Sequence, residues 1–303
     1  MPRTLIIVAF VLSALAGIFW LVWMPLPSAQ ARDAAGEERV VRFEDRGLSY
    51  YVSGEGQPVL LLASLGREAS DFNELVLSLN SAGYRTIAFE AHGIGGTDLP
   101  ESQFDLLEIA DDVAKVVETE IATSEKVVVI GHAFGNRVAR AYATLNDPRV
   151  QAIVLVASGG RKPIPSEARA SLAAIFDPRR TFAQRKADVD FAFFAEGNTI
   201  PDYWTRGWHT GTALWQADAA LQSYQEWGAG GTKPMLILQA DEDEIAPSTD
   251  AGIPLAREFP SRTKLVVIKG AGHAFLPERP LEVASEIISF IRDVDLANEA
   301  SDQ

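Results

Sequence analysis

Short unbroken apolar runs recur along the chain at Val59–Leu62, Thr86–Phe89, Val127–Ile130, Ala152–Ala157, Met235–Leu238 and Leu265–Ile268. Runs of this length, apolar at every position, suit strands of a parallel sheet buried on both faces. Between them lie stretches whose apolar residues return every three or four positions: Asp71–Ala82, Leu106–Ile121, Phe134–Asn146 and Leu281–Arg292. That is the period of helices that bury one side. Strand and helix signals in alternation predict an α/β fold, a mostly parallel sheet joined by crossover helices. Ahead of them, Val40–Phe43 and Leu48–Val52 read as two strands joined hairpin-fashion through Glu44–Gly47.

The alternation breaks once. From Gly160 to about Gly230 no buried strand is legible, and the segment holds Trp204, Trp208, Trp215 and Trp227. It reads as a helical insertion over the carboxyl edge of the sheet, a lid whose aromatic inner side would shape a ligand pocket. Packing of lid against core accounts equally well for any single tryptophan; Trp204 and Trp208 are the candidates for contact with a ligand. On this reading one domain spans 40–295 with the lid at about 160–230, a small polar stretch at 32–39 is a flexible lead, and 296–303 is a disordered tail.

Residues Leu5–Met24 are almost wholly apolar, preceded by Arg3 and followed by Pro25-Leu26-Pro27 and then Ala29-Gln30-Ala31. That order reads as a signal peptide, residues 1–31, cleaved after Ala31. The run, about 20 residues, is also long enough to span a bilayer as an uncleaved anchor. Either way the domain is expected outside the cytoplasm, periplasmic or secreted.

Bulk properties remove several classes of function. A net charge of −14 on 303 residues argues against nucleic-acid binding, which needs clustered Lys and Arg. The chain has no cysteine, so disulfides, thiolate zinc sites and a cysteine nucleophile are excluded. Four histidines, His92, His132, His209 and His273, are too few and too scattered to suggest a metal cluster. No cofactor is expected. The implied partner is a small molecule, and a membrane only through an uncleaved leader.

One motif carries the chemistry. Gly131-His132-Ala133-Phe134-Gly135 follows an apolar run and opens a helical one, the strand, turn and helix that a G-x-S-x-G nucleophile elbow requires. Glycines at both ends allow strained backbone angles and close approach of strand and helix. Ala133 stands where the reactive serine would be, and a methyl group cannot attack. His132 reads as a packing residue of the elbow.

With this motif in place the chain resembles the α/β-hydrolase superfamily, esterase- and amidase-like, from about Val40 to Ile291. The resemblance implies an acid and then a histidine after the elbow. Asp243, in Asp241-Glu242-Asp243-Glu244-Ile245-Ala246-Pro247, matches the acid loop, with Asp241 as its nearest competitor. His273, in Gly270-Ala271-Gly272-His273-Ala274-Phe275, matches the histidine loop. In such a site the acid orients the histidine and stabilises its charged form. The resemblance also implies an oxyanion hole of two backbone amides, those of Phe134 and, by alignment, Leu65. There the family usually has His-Gly and this chain has Ala63-Ser64-Leu65-Gly66-Arg67. Glu90–Thr97 looks like the family's Asp-x-Arg-Gly-x-Gly-x-Ser turn, a structural signature.

Three explanations of Ala133 remain open from the sequence. The first is an active serine hydrolase carrying an engineered serine-to-alanine change, against which the untrimmed leader argues. The second is an enzyme that needs no side-chain nucleophile, with His273 and Asp243 acting as a general base on water or a substrate proton. The third is a binding protein that has lost turnover. Ordinary serine-esterase activity is expected to be negligible, since loss of the nucleophile costs on the order of 10⁶ in turnover. Neither Ser64, in the oxyanion loop, nor Ser158, past the next strand, has the elbow's aim. Arg67 reads as a group for an anionic substrate or as half of a salt bridge, and Asn136 as a donor into the space Ala133 leaves open.

Overall fold

The computed structural model describes residues 30–159 and 162–301. Its strands are β1 (Glu37–Phe43), β2 (Arg46–Ser53), β3 (Gln57–Leu62), β4 (Tyr84–Phe89), β5 (Val127–His132), β6 (Val150–Val156), β7 (Met235–Ala240) and β8 (Thr263–Ile268). Among the described residues they form one sheet in the order β1-β2-β4-β3-β5-β6-β7-β8. β1 and β2 form an antiparallel hairpin and β2 runs antiparallel to β4; every pairing from β4 through β8 is parallel.

The apolar runs are continuous because both faces of the sheet are covered. In β3, Leu60 and Leu62 enter one core and Val59 and Leu61 the other. The helices are α1 (Asn73–Ser81), α2 (Leu106–Glu120), α3 (Phe134–Leu145), α4 (Ser166–Ile175), α5 (Phe182–Phe193), α6 (Thr210–Ala219), α7 (Tyr224–Trp227), α8 (Gly252–Glu258), α9 (Phe275–Glu278) and α10 (Pro280–Ser301). α2 and α3 seal the first core, through Ile109, Val113, Val138 and Tyr142; α1 and α10 seal the second, through Leu75, Leu79, Val283 and Ile287. Each such side chain contributes about 1.5–3 kcal/mol by leaving water. α2 starts where it does because Asp105 and Glu108 form a capping box: the Asp105 side chain accepts from the Leu107 and Glu108 amides, and Glu108 accepts from the Asp105 amide.

The helical insertion is present as α4 to α7, between β6 and β7. It has a core of its own, where Ile175, Val189, Phe193, Trp204 and Trp208 pack with Ile245 and Ala274 from the loops that follow β7 and β8.

At the ends of the chain the structure is more ordered than its composition suggests. The signal-peptide reading falls mostly on residues 1–29, outside the described residues. From Ala31 onward the lead is tied down: the Ala31 amide donates to both Glu68 oxygens (2.9 and 3.1 Å), and Arg32 binds Glu74 (2.7 and 2.8 Å) and stacks on Tyr203. The Ala35 amide donates to Asn73, and Glu37 already pairs in β1. Residues 32–39 are therefore a strap on the domain rather than a flexible lead. The expected disordered tail is helical as far as Ser301, as the last turns of α10. No helix among the described residues is long and apolar enough to cross a membrane.

Candidate functional site

The connection from β3 leads outward to β4 on one side, while β5 lies on the other side of β3 and the chain continues from it toward β8. Their carboxyl ends form the crevice at which open α/β sheets bind ligands. The loop after β3, residues Ala63–Arg67, and the elbow after β5 flank this point.

Ala133 sits at φ 49°, ψ −107°, with its amide donating to the Val156 carbonyl at 2.9 Å. A non-glycine residue in this conformation costs on the order of 1–3 kcal/mol, held only because its surroundings enforce it. Gly131 and Gly135 are the enforcers. A Cβ on Gly131 would lie 2.2 Å from the Gly135 carbonyl oxygen, and a Cβ on Gly135 only 2.0 Å from that of Leu62. The first turn of α3 is thereby pressed onto the end of β3, which brings the loop Ala63–Arg67 beside the elbow.

Asp243 and His273 meet. His273 Nδ1 donates to Asp243, 2.8 Å from Oδ2 and 3.0 Å from Oδ1. Both side chains are buried, and Asp243 Oδ1 also accepts from the Ile245 and Ala246 amides (2.9 and 2.7 Å). The acid loop is fixed in turn by Gln239, whose amide nitrogen donates to the Ala246 carbonyl. Asp241 is exposed and accepts from the Gly270 amide instead, so it is not the partner of the histidine. Nδ1 being committed to Asp243, Nε2 of His273 is the nitrogen left for proton transfer; it has no hydrogen-bond partner among the described residues.

His132 Nε2 donates to the His273 carbonyl at 3.0 Å and holds that loop against the elbow. Its buried Nδ1 has no partner. Burial, with His273 beside it, pushes its pKa down to about 3, so His132 is neutral.

Phe134 opens α3, and its amide is among those a helix leaves without an internal acceptor. In the β3 loop the Gly66 amide is taken by the Gln216 side chain (2.7 Å), and the Arg67 amide by the Ser64 carbonyl (3.1 Å). The Leu65 amide lies between these committed groups. A void of about 20 Å³, roughly one water in size, adjoins Phe134, lined by Ala63, His92, Trp215 and Gln216.

Other residues singled out in the sequence do different work. Arg67 is fully buried; it pairs with Asp71 (2.6 and 2.8 Å), donates to the Arg206 and Gly207 carbonyls, and lies over the rings of Trp204 and Trp208 at 4.4 and 4.6 Å. With every face engaged it is not available to an anionic substrate, and its role is the salt bridge. Trp204 and Trp208 are buried for the same reason. Both contact Phe193, which meets His273 edge-on at 5.4 Å, so they stand behind the site rather than lining an open pocket. Asn136 does not reach the space above Ala133; its amide donates to the Ala157 carbonyl and accepts from Arg140. Ser158 is buried, with amide and hydroxyl both bound to Gln239.

Several site residues had no sequence signal. Glu278 accepts from the Gly272 and Ala195 amides and from Asn198, clamping the end of α5 to the histidine loop. A second histidine–aspartate pair, His92 with Asp112 at 3.0 Å, also bound by Arg46, backs the void beside Phe134. Glu68 receives His209 at 2.8 Å. Although burial pushes the Glu68 carboxyl up, His209 and the Ala31 amide outweigh it and hold the pKa below the usual range.

Glu90 lies in the turn after β4, accepts from the Ala69 amide, and leaves its other oxygen without a partner. Burial, reinforced by the Glu68 charge, raises its pKa to about 8. Between the unfolded value near 4.5 and 8 the folded protein holds a proton that the unfolded chain has lost. Its contribution to stability is thus full below that window and lost as pH rises through it. Glu90→Gln, which cannot ionise, is expected to narrow the gap between melting temperatures at pH 5 and pH 9, chiefly by raising the value at pH 9. An unchanged gap by scanning calorimetry would refute a protonated Glu90.

The comparisons bear on family and fold. A model of the alpha/beta hydrolase family matches residues 59–286. The chain is 27% identical over 264 residues to the non-heme chloroperoxidase of Streptomyces lividans, covering 78% of this chain and 92% of that protein. It is 25% identical over 270 residues to the 2-hydroxy-6-oxononadienedioate/2-hydroxy-6-oxononatrienedioate hydrolase of Cupriavidus pinatubonensis, covering 81% and 92%. Among solved structures, a bacterial membrane phospholipase A superposes with a TM-score of 0.72 at 20% identity over 97% of this chain and 99% of that one, a likeness of fold. With its sheet order, its elbow and a family match running from β3 into α10, this chain belongs to the alpha/beta hydrolase family.

Proposed function

We propose that the protein is an exported member of the family that acts on a small molecule without a covalent enzyme intermediate, using His273, oriented by Asp243, as general base. The observation that carries this reading is the complete dyad, with its acid held by two amides, set beside an elbow that keeps its strained backbone while presenting only a methyl group. In a direct hydrolysis, His273 Nε2 takes a proton from water as the water oxygen bonds to the substrate carbonyl carbon. The carbonyl electron pair moves onto oxygen, where the Phe134 and Leu65 amides receive it. Collapse expels the leaving group, which takes the proton back from His273. The same base would serve to abstract a substrate proton next to a carbonyl. Export rests on the leader alone.

The test is a panel of esters, thioesters, amides and β-diketones turned over by the full chain, His273→Ala and Asp243→Asn, with circular dichroism to verify folding. His273→Ala is expected to lower any measured turnover by about 10²–10⁴, the usual worth of a positioned base. A ligand that raises the melting temperature and is never consumed, with turnover indifferent to His273→Ala, would favour the non-catalytic binding reading instead.

A further inference from the structure

In a chain of net charge −14, the stretch from Arg169 to Lys186 runs the other way: Arg169, Arg179, Arg180, Arg185 and Lys186 stand against one acidic residue, Asp177. These residues occupy α4, the turn after it and the start of α5. Of the nearby acids, Asp177 is taken up by Arg179 at 2.8 Å and Asp188 by Arg180 at 2.5 Å, while Glu167 and Asp190, farther from the tip, are exposed and, like exposed Lys186, form no ion pair among the described residues. Phe182, the first residue of α5, stands at the tip of this turn with 59% of its surface exposed, flanked by exposed Thr181 and Ala183. An aromatic ring projecting from among cations suits a boundary between headgroups and acyl chains, the ring entering the apolar side and the cations meeting phosphates.

A second observation says which surface lies there. The leader enters the fold at Ala31, whose amide is held by Glu68 and whose methyl abuts Gly207: a Cβ on Gly207 would lie 2.8 Å from that of Ala31. The next residue, Trp208, packs edge-on against Phe176 at 5.6 Å, and Phe176 directly precedes the basic turn. The leader's entry and the turn therefore flank the same two residues of the insertion. Only positions 25–29 separate the apolar run ending at Met24 from Gln30, a reach of at most about 20 Å at ~3.3–3.6 Å per residue.

We propose that the turn between α4 and α5, with Phe182 at its tip, docks on an anionic lipid bilayer in which Leu5–Met24 remains as the anchor. Cutting after Ala31 would remove one of the donors to Glu68, beside His209 and Ser70, and the methyl that fills the space at Gly207. The strongly negative remainder of the domain is repelled by anionic headgroups, so the basic turn sets the orientation. The insertion then faces the bilayer.

Because the chain has no cysteine, single reporters are clean. Full-length Phe182→Cys, with Ala183→Cys as a second reporter and Leu145→Cys as a control on α3, would carry a nitroxide in phosphatidylglycerol vesicles. At 182 and 183, collisions with oxygen are expected to exceed those with a water-soluble nickel chelate; at 145 the order reverses. Arg179→Glu with Lys186→Glu is expected to return position 182 to water. Equal nickel access at 182 in vesicles and in detergent overturns the proposal. So does burial that persists in phosphatidylcholine vesicles after charge reversal, which removes the anionic headgroup. Spin–spin broadening at 182 that vanishes on dilution assigns the patch to a second copy, and an intact mass beginning at Arg32 removes the anchor; either result also overturns it.

Discussion

Ala133→Ser is expected to convert the protein into an ordinary serine esterase, raising p-nitrophenyl ester turnover by about 10²–10³ or more and creating a site labelled by a fluorophosphonate. The size follows from what a nucleophile is worth: removing it from a working serine hydrolase costs on the order of 10⁶, leaving ~10³–10⁴ over water from the oxyanion hole and binding. The expected gain is set below the full 10⁶ because the space described beside the elbow is only about 20 Å³, too small for the probe ester without rearrangement. The backbone needed to aim a hydroxyl already exists at φ 49°, ψ −107°, and Ala133 is half-buried, which leaves room for one more atom. Adding Asp243→Asn to Ala133→Ser should take back essentially all of that gain, since the histidine would lose the orienting charge that is worth about 10⁴ in a fully working triad. A folded Ala133→Ser protein that neither labels nor turns over would count against the placement of His273 and the two amides. Labelling of the unsubstituted protein at Ser64 or Ser158 would remove the premise that it lacks a nucleophile.

Asp71→Ala is expected to give the largest loss of stability of any single substitution considered. Arg67 is fully buried, and Asp71 is the carboxylate that neutralises it. Breaking a buried pair by removing one partner costs about 3–5 kcal/mol, because the remaining charge stays in a low-dielectric interior. For a domain of this size that corresponds to a fall of roughly 10 °C in melting temperature. The Arg206 and Gly207 carbonyls and the two tryptophan rings soften the loss without cancelling the charge. Replacing both partners, Arg67→Met with Asp71→Leu, is expected to recover most of the stability, because an apolar pair of similar volume has no desolvation cost. Urea denaturation of the two variants decides it: a double variant no more stable than Asp71→Ala would show that the bridge holds the insertion by its geometry and not its charge.

The arginine also marks where reading along the chain stopped. Arg67 follows the loop after β3, and from sequence a salt bridge is the favoured reading with an anionic-substrate group as the alternative; the choice depends on Tyr203–Trp208, more than 130 positions away, folding down over it. The same holds for Glu278 and Gln216. Neither belongs to a motif, yet one clamps the insertion to the histidine loop and the other occupies the Gly66 amide. The stretch at 32–39 looked flexible because its residues are small and polar; its order, and that of Ala31 before it, comes from partners at Glu68, Asn73 and Glu74. The strands and the helices at 106–120 and 134–145, by contrast, lay close to their expected bounds, since each is specified by its own repeat of apolar positions; α10 instead ran nine residues past its expected end.

By itself the sequence determined the alternation of strands and helices, the strand–turn–helix of the elbow with alanine at its centre, and the order in which an acid and a histidine follow. These are local properties, set by side-chain periodicity and by glycine at positions where no Cβ fits. Only the tertiary structure decided which acid reaches His273, that burial holds His132 neutral, that Arg67 and both tryptophans are turned inward, and that Glu90 lies where burial raises its pKa. Each of those depends on groups far apart in the chain, brought within hydrogen-bonding or Coulombic range by the fold and removed from water together.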